Sequence, residues 1–320
     1  MRIVIFVIAA LAMTVAHAAD RAFPVKPVRL LVPYPPGGGN DTMARTIGAK
    51  LTEEWHQQVI IDNRAGANGL VAAELTMAAA PDGYTLFMAN IGSHAINPAL
   101  YKNIPYDAVK DFAPISQLGS TANVLVVHPS VPAKNLQELI ALAKAKPGQL
   151  NVPVGLGSNI HMSTLEMQQR LGVKWVYVPT KGGQSSVLSV MTGDGDFLLM
   201  GVIQTWVHVK AGRLKLLAVS SEQREPMFSE VPTVGETPGL QGYSAGSWQG
   251  ILGPAKLPPE IVNKLYNEVK RIVAMPDFSE KLTAQGSRPQ AKTPQEVGSW
   301  LATEKERWAK VVKESGLKID

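Results

Sequence analysis

The sequence predicts an α/β protein of two lobes with a hinged cleft between them. Three observations carry this. Apolar strand-like runs alternate with amphipathic helical runs in two successive blocks, a helical tail follows the second block, and glycine-rich turns recur where strands pass into helices. Sheets wound in this way carry their ligand sites outside the carboxyl ends of the strands. Two such lobes facing each other form a cleft that a hinge can close.

The elements follow in order. Met1-Arg2, an apolar run over 3–15 and Ala16-His17-Ala18 read as a secretion signal over 1–18, cleaved after Ala18. The run is too short for a membrane span. Strands are expected over 28–32, 59–62 and 84–88. The helices between them cover 42–55, where Met43, Ile47 and Leu51 share a face, and 70–80. This order implies a parallel sheet. A longer strand over 113–127 opens the second block. It continues as helix 136–146, strand 151–154, helix 159–171, strand 175–178, helix 185–192, strand 195–200, helix 204–210 and strand 214–219. A Pro/Glu-rich loop over 226–238 and an extended return over 243–252 lead to helices over 259–274, 277–285 and 294–315. Pro258-Pro259 and Thr293-Pro294 mark two of these helix starts. The tail is expected to pack back on the first lobe. The lobes are therefore 19–122 with 246–320, and 123–245.

Composition excludes several functions. With no cysteine among 320 residues there is no disulfide, no thiolate metal site, no cysteine nucleophile and no lipid-anchored cysteine. Loss of Arg2 with the signal leaves 30 basic against 26 acidic side chains, a net charge of +4. That charge is scattered and lacks interleaved aromatics, which argues against nucleic acid. His56, His94, His128, His161 and His208 show no metal-ligand spacing, so no metal or other cofactor is expected.

The motif that carries most chemistry is Val32-Pro33-Tyr34-Pro35-Pro36-Gly37-Gly38-Gly39-Asn40-Asp41, where a strand ends in a glycine loop that opens a helix capped by Asn40 or Asp41. Consecutive glycines let a ligand approach backbone N–H groups at the positive end of the helix dipole, which suits an anion. The loop has neither the Gly-Lys-Ser/Thr of a P-loop nor G-x-G-x-x-G, which disfavours nucleotides. Three further strand-to-helix loops fall at the same edge: Asn90 to His94 with Ser93 and His94 as donors, Gly155 to His161, and Pro179 to Ser185. Tyr34 can cover an apolar part of a ligand, with packing an equal reading, and Trp206 can wall the cleft. Gly242-Tyr243-Ser244-Ala245-Gly246 matches a nucleophile elbow, but an extended segment follows Ser244 and no histidine comes after it.

Several ordered segments resemble the periplasmic receptors of tripartite tricarboxylate transporters, the Bug proteins. They are Pro24-Val25-Lys26-Pro27-Val28-Arg29, the loop from Val32 to Asp41, Asn63-Arg64-Ala65-Gly66-Ala67-Asn68-Gly69 and Asp82-Gly83-Tyr84-Thr85-Leu86. His94-Ala95-Ile96-Asn97-Pro98, Lys181-Gly182, Gly212-Arg213-Leu214-Lys215 and Val231-Pro232-Thr233 complete the set. The resemblance implies a type II periplasmic-binding-protein fold and a small organic acid held by loop N–H groups, hydroxyls and bridging waters. It also implies a membrane permease as partner. The chain departs from the family at Thr180-Lys181-Gly182, where a tyrosine is common in the first place, and at Gly39-Asn40, where the glycine loop is commonly shorter.

The expected site comprises Tyr34, Gly38, Gly39, Asn40, Asp41, Ser93 and His94 in the first lobe. Gly157, Ser158, Asn159, His161, Thr180, Gly182, Gly183 and Gln204 complete it in the second. The expected protein is a periplasmic, monomeric, non-enzymatic receptor without cofactor. The alternatives are an exported esterase using Ser244 and a ligand sensor feeding a signalling kinase.

Overall fold

The computed structural model describes residues 23–284 and 286–317, so the expected signal over 1–18 lies outside the described residues. The first block begins with β1 (Val28–Val32), α1 (Gly39–Trp55), β2 (Val59–Asn63), α2 (Leu70–Met77) and β3 (Thr85–Asn90). A π-turn (Gly92–Ile96) and α3 (Asn97–Leu100) follow. β1 pairs in parallel with β2 and β3, with Leu30 opposite both Ile61 and Leu86. Val28, Leu30, Leu31 and Val32 are all buried, the continuous apolar run of a strand covered on both faces.

The long strand β4 (Phe112–Val127) joins the two lobes. Its first part runs antiparallel to β9 (Gly246–Pro254) up to the pair Ala122↔Gly246. From Asn123↔Gly201 onward it pairs with β7 (Phe197–Gly201), and from Val124↔Val219 with β8 (Lys215–Val219). The parallel expectation for β1 to β3 thus holds, while β9 pairs antiparallel with β3, and this return strand runs against the first three. β10 (Ser287–Pro289), which the sequence did not suggest, closes the edge beside β4. Across this sheet the order is β10-β4-β9-β3-β1-β2.

Helices cover both faces. On one, α1 packs with α8 (Pro259–Val273) and α9 (Pro276–Ala284) around Ile47, Leu51, Leu265, Ile272 and Phe278. On the other, α2, the π-turn and α10 (Pro294–Ser315) enclose Leu31, Phe87, Trp248, Leu301 and Trp308. Thr293 starts α10 with a capping box to Glu296, as its Thr-Pro start suggests.

In the second lobe, α4 (Leu136–Ala145) and α5 (Asn159–Leu171) lie on one side of the β4–β7–β8 sheet. α6 (Gly183–Thr192) and α7 (Val202–Lys210) lie on the other. Alternate residues divide the strands between the two cores. Leu125, Val127, Phe197 and Leu199 face one, and Val124, Val126, Leu198 and Met200 the other. β5 (Asn151–Val154) and β6 (Val176–Pro179) form a small parallel pair of their own. The tail does pack on the first lobe, but α10 also reaches the second. Arg307 meets Glu166 of α5 at 2.6 Å and donates to the Ser244 carbonyl at 2.6 Å, and Gln169 donates to the Val311 carbonyl at 3.0 Å. No described helix is long and apolar enough to cross a membrane.

Candidate ligand cleft

Strands β1, β3, β5, β6 and β7 all end in turns that open into helices. The most elaborate is the first. The N-cap of α1 is Gly38, which has no side chain to offer, so Gly39, Asn40 and Asp41 fill the first turn with no side-chain cap on their N–H groups. The expected cap by Asn40 or Asp41 is therefore corrected: both lie inside the helix. Gly37, Gly38 and Gly39 are exposed, and a Cβ at Gly39 would meet no atom within 4 Å.

The buried polar residues of that turn build the loop. Asp41 accepts from the Gly37 N–H at 2.9 Å, from Asn63 Nδ2 at 3.0 Å and from Arg45 Nε at 2.9 Å. Burial opposes its charge, but the Arg45, Gly37 and Asn63 hydrogen bonds prevail and hold its carboxyl below the usual range. Asn63 also donates to the Tyr34 carbonyl at 3.0 Å. Asn90 Oδ1 accepts from Tyr34 Oη at 3.4 Å and from the Ser93 N–H at 3.0 Å, while Asn90 Nδ2 reaches Asn40 Oδ1 at 3.4 Å. Burial raises the Tyr34 phenol, which stays a neutral donor. Sequence reasoning left out Asn63 and Asn90 as site builders. Each is the last residue of a strand, and that position was the available signal.

Ser93 and His94 do not offer donors to a cleft, which corrects that expectation. Both are wholly buried. Ser93 Oγ lies 3.0 Å from His94 Nδ1 and 3.2 Å from the Asn90 carbonyl, and the His94 ring packs on Phe112, Phe87 and Tyr106 at centroid distances of 4.5, 5.2 and 6.0 Å. An apolar core fixes this imidazole as a neutral core group.

In the second lobe Ser158 caps α5 by accepting from the His161 N–H at 3.2 Å, and His161 Nδ1 accepts from the Gly157 N–H at 3.0 Å. His161 is buried against Tyr177, and burial lowers its pKa, so it fastens the loop rather than facing a ligand. Asn159 Nδ2 donates to the Gly246 carbonyl at 2.8 Å, tying this helix start to the strand that links the lobes. Thr180 Oγ1 is 2.7 Å from Ser186 Oγ. α6 and α7 begin, like α1, on glycine N-caps with no side-chain cap, Gly182 and Gly201. Gly182 has φ +148°, a value that favours glycine. Gln204 lies exposed in the first turn of α7. By contrast α4, away from this edge, is capped by Asn135. Trp206 packs on Phe228 at 4.8 Å, so it belongs to the second-lobe core and does not wall a cleft. Lys181 is exposed.

Three helix starts thus keep free N–H groups on glycine caps, an arrangement that can hold carboxylate oxygens without a matching cation. Among the described residues no cluster of three metal-ligating side chains occurs. Ser244 leads into strand β9, whereas a nucleophile elbow needs a helix.

The description "Tripartite tricarboxylate transporter family receptor" belongs to the family that matches residues 43–317. Protein BugT of Bordetella pertussis is 32% identical over 306 residues, 95% of this chain and 94% of BugT. The structure of R. palustris Rpa4515 with adipate is 32% identical and covers 92% of this chain and 99% of its own, with a TM-score of 0.79. MatC from Rhodopseudomonas palustris with bound malate is 31% identical, covers 91% of this chain and 100% of its own, and has a TM-score of 0.75. The two-lobed architecture is thus that of the periplasmic solute-binding proteins, and the chain belongs to the tripartite tricarboxylate transporter receptor (TctC) family.

Proposed function

We propose that the protein is a periplasmic receptor that captures a small dicarboxylate between its lobes and delivers it to a tripartite tricarboxylate-type membrane permease. The observation that carries this reading is the recurrence of uncapped helix starts on Gly38, Gly182 and Gly201. One carboxylate docks on the N–H groups of Gly38 to Asp41, with Tyr34 against the ligand's carbon chain. The other meets the second lobe at Gly157, Ser158 and Asn159, or at Thr180, Gly182 and Gly183, with Gln204 at the margin. Each helix start supplies about half a positive charge, so the anion is neutralised by dipoles. The hinge falls where β4 changes partners, between 122 and 123, and where the return strand enters β9, between 245 and 246. Closure follows because only the closed form lets the ligand touch both lobes. Adipate and malate, the ligands of two relatives, set the size of the expected ligand.

Calorimetric titration of the mature protein with malate, succinate, glutarate and adipate tests this, repeated on Gly39→Trp. A side chain at Gly39 enters open space, so the variant keeps its fold. At least one diacid binds the native protein, and the variant binds it about tenfold more weakly or worse, a loss of 1.4 kcal/mol or more. Silence from every diacid, or equal affinity in the variant, contradicts the proposal.

A further inference from the structure

β2 is the edge strand of the main sheet, and its carboxyl end gathers three arginines around two largely covered carboxylates. Arg29 of β1 and Arg64 both pair with Asp62, Arg64 through Nε at 2.8 Å. Sharing one carboxylate brings the two guanidinium groups within reach of alternate side chains of one extended segment, which stand roughly 7 Å apart. Arg45 of α1 pairs with Asp41 at 2.9 Å and donates from Nη2 to Asn63 Oδ1 at 3.3 Å, and Asn63 lies between Asp62 and Arg64 in the chain. The side chains of Arg29, Arg45 and Arg64 are 38%, 54% and 48% exposed, against 4% for Asp41 and 19% for Asp62. The surface therefore presents the cations and hides the anions. Ile60, opposite Arg29 in the β1–β2 register, is exposed on the same face and adds an apolar contact.

A guanidinium has five N–H donors. These contacts engage Nε and Nη2 of Arg29, Nε and Nη2 of Arg45, and Nε of Arg64. The outer N–H groups of all three are left for further carboxylates, and a planar fork suits such partners.

Arg45 also reaches the ligand loop. Its partner Asp41 accepts from the Gly37 N–H at 2.9 Å and from Asn63 Nδ2 at 3.0 Å. Arg45 is thus the exposed end of the network that holds the glycine loop. An outside carboxylate that draws Arg45 away leaves Asp41 buried without its cation and takes a partner from Asn63, so the loop loses support.

We propose that this arginine edge is the docking surface for a carboxylate-bearing segment of the membrane permease, and that docking there loosens the Gly37–Gly39 loop and favours release of the ligand. The inference rests on the receptor reading above. By linkage, ligand in the cleft weakens docking by the same factor.

The test uses hexa-L-glutamate, acetylated and amidated so that only side-chain carboxylates remain, with hexa-L-glutamine as the uncharged control. Calorimetry on the mature protein at about 20 mM salt, where exposed charges are little screened, should show one-to-one binding of hexaglutamate and none of hexaglutamine. The double variant Arg29→Gln/Arg64→Gln keeps an N–H toward Asp62 at each place. It should bind the peptide about tenfold more weakly or worse. Its diacid affinity should stay native, which also reports that it is folded. Saturating peptide should weaken the diacid about fivefold or more in the native protein but not in Arg45→Gln, whose own diacid affinity is already lowered. No peptide binding, binding undiminished in the double variant, or a diacid affinity indifferent to the peptide overturns the proposal. So does binding to phosphatidylglycerol vesicles without binding of the peptide, which assigns the edge to a lipid surface. Titration of the peptide without diacid reads the edge alone, and titration of the diacid without peptide reads the cleft, so the two failures are distinguishable.

Discussion

Acidification is expected to weaken the fold through a group that touches no ligand. His94 is wholly buried, its Nε2 meets no partner, and burial alone pulls its pKa from 6.5 down to about 3. In the unfolded chain the imidazole titrates near its ordinary value. Between those two values the unfolded chain holds one more proton than the folded one. The contribution is thus complete above pH 6.5 and is lost progressively as pH falls toward 3. The slope is about 1.4 kcal/mol per pH unit, which gives roughly 3 kcal/mol between pH 7.5 and 4.5. That is a large part of a stability of about 5–15 kcal/mol. Urea unfolding at pH 7.5, 6.5, 5.5 and 4.5, on the native protein and His94→Leu, isolates the effect. The replacement gives up the Ser93 contact, but Ser93 keeps its bonds to Asn90. At pH 7.5 the variant should lie within about 1.5 kcal/mol of the native protein. Its stability should fall more shallowly with acid by one proton, and its diacid affinity should be unchanged. His161, also lowered by burial, is common to both proteins and cancels. Coincident slopes would refute the buried neutral imidazole, and lost affinity would return His94 to the cleft.

Three further outcomes are expected. Asp41→Ala removes the acceptor of three hydrogen bonds and should cost about 2–3 kcal/mol, with a tenfold or larger loss of diacid affinity from loosening of the 35–41 loop; native affinity in a folded variant would contradict this. Glu166 is 4% exposed and takes Arg170 and Arg307 at 2.6 Å each, so Glu166→Gln should destabilise by about 3 kcal/mol in a thermal or urea melt, and a change under about 0.5 kcal/mol would show that the brace between α5 and α10 does not form. Burial opposes the Asp107 charge, but Lys305 at 2.9 Å and the Val109 and Lys110 N–H groups hold its pKa at about 2, below the ordinary 3.8. Its contribution is therefore complete above about pH 4 and is lost between pH 4 and 2. Lys305→Ala should move the acid-unfolding midpoint upward, and an unmoved midpoint would contradict the pairing.

The fold was largely legible because buried strands such as Val28–Val32 read as unbroken apolar runs and their helices show a four-residue period. What was lost is informative. β10 has three residues and owes its place to pairing with Ser120 and Thr121, which no local pattern encodes. The π-turn at Gly92–Ile96 was read as a loop offering two donors to a ligand, but its side chains are spent on the core through His94 and on Asn90 through Ser93. Polar residue types at a strand end signal either a ligand or a loop that must be held still. Asp41, Asn63, Asn90 and His161 show the second use, and which of the two applies depends on burial that a single sequence does not display. Glycine loops were more readable at Gly38 and Gly182, which leave helix starts bare by their lack of a side chain, whereas the third bare start, at Gly201, follows its strand with no glycine run to mark it.

Capture in the proposed cleft is made by backbone N–H groups that grip a carboxylate at bare helix starts. The most direct measurement is the amide ¹H–¹⁵N spectrum of the isotopically labelled mature protein, titrated with the diacid that binds tightest. The account predicts that the amides of Gly38, Gly39, Asn40 and Gly183 move furthest, downfield in ¹H, and saturate together with the calorimetric isotherm. Saturable binding that leaves those four amides in place while others shift would contradict it.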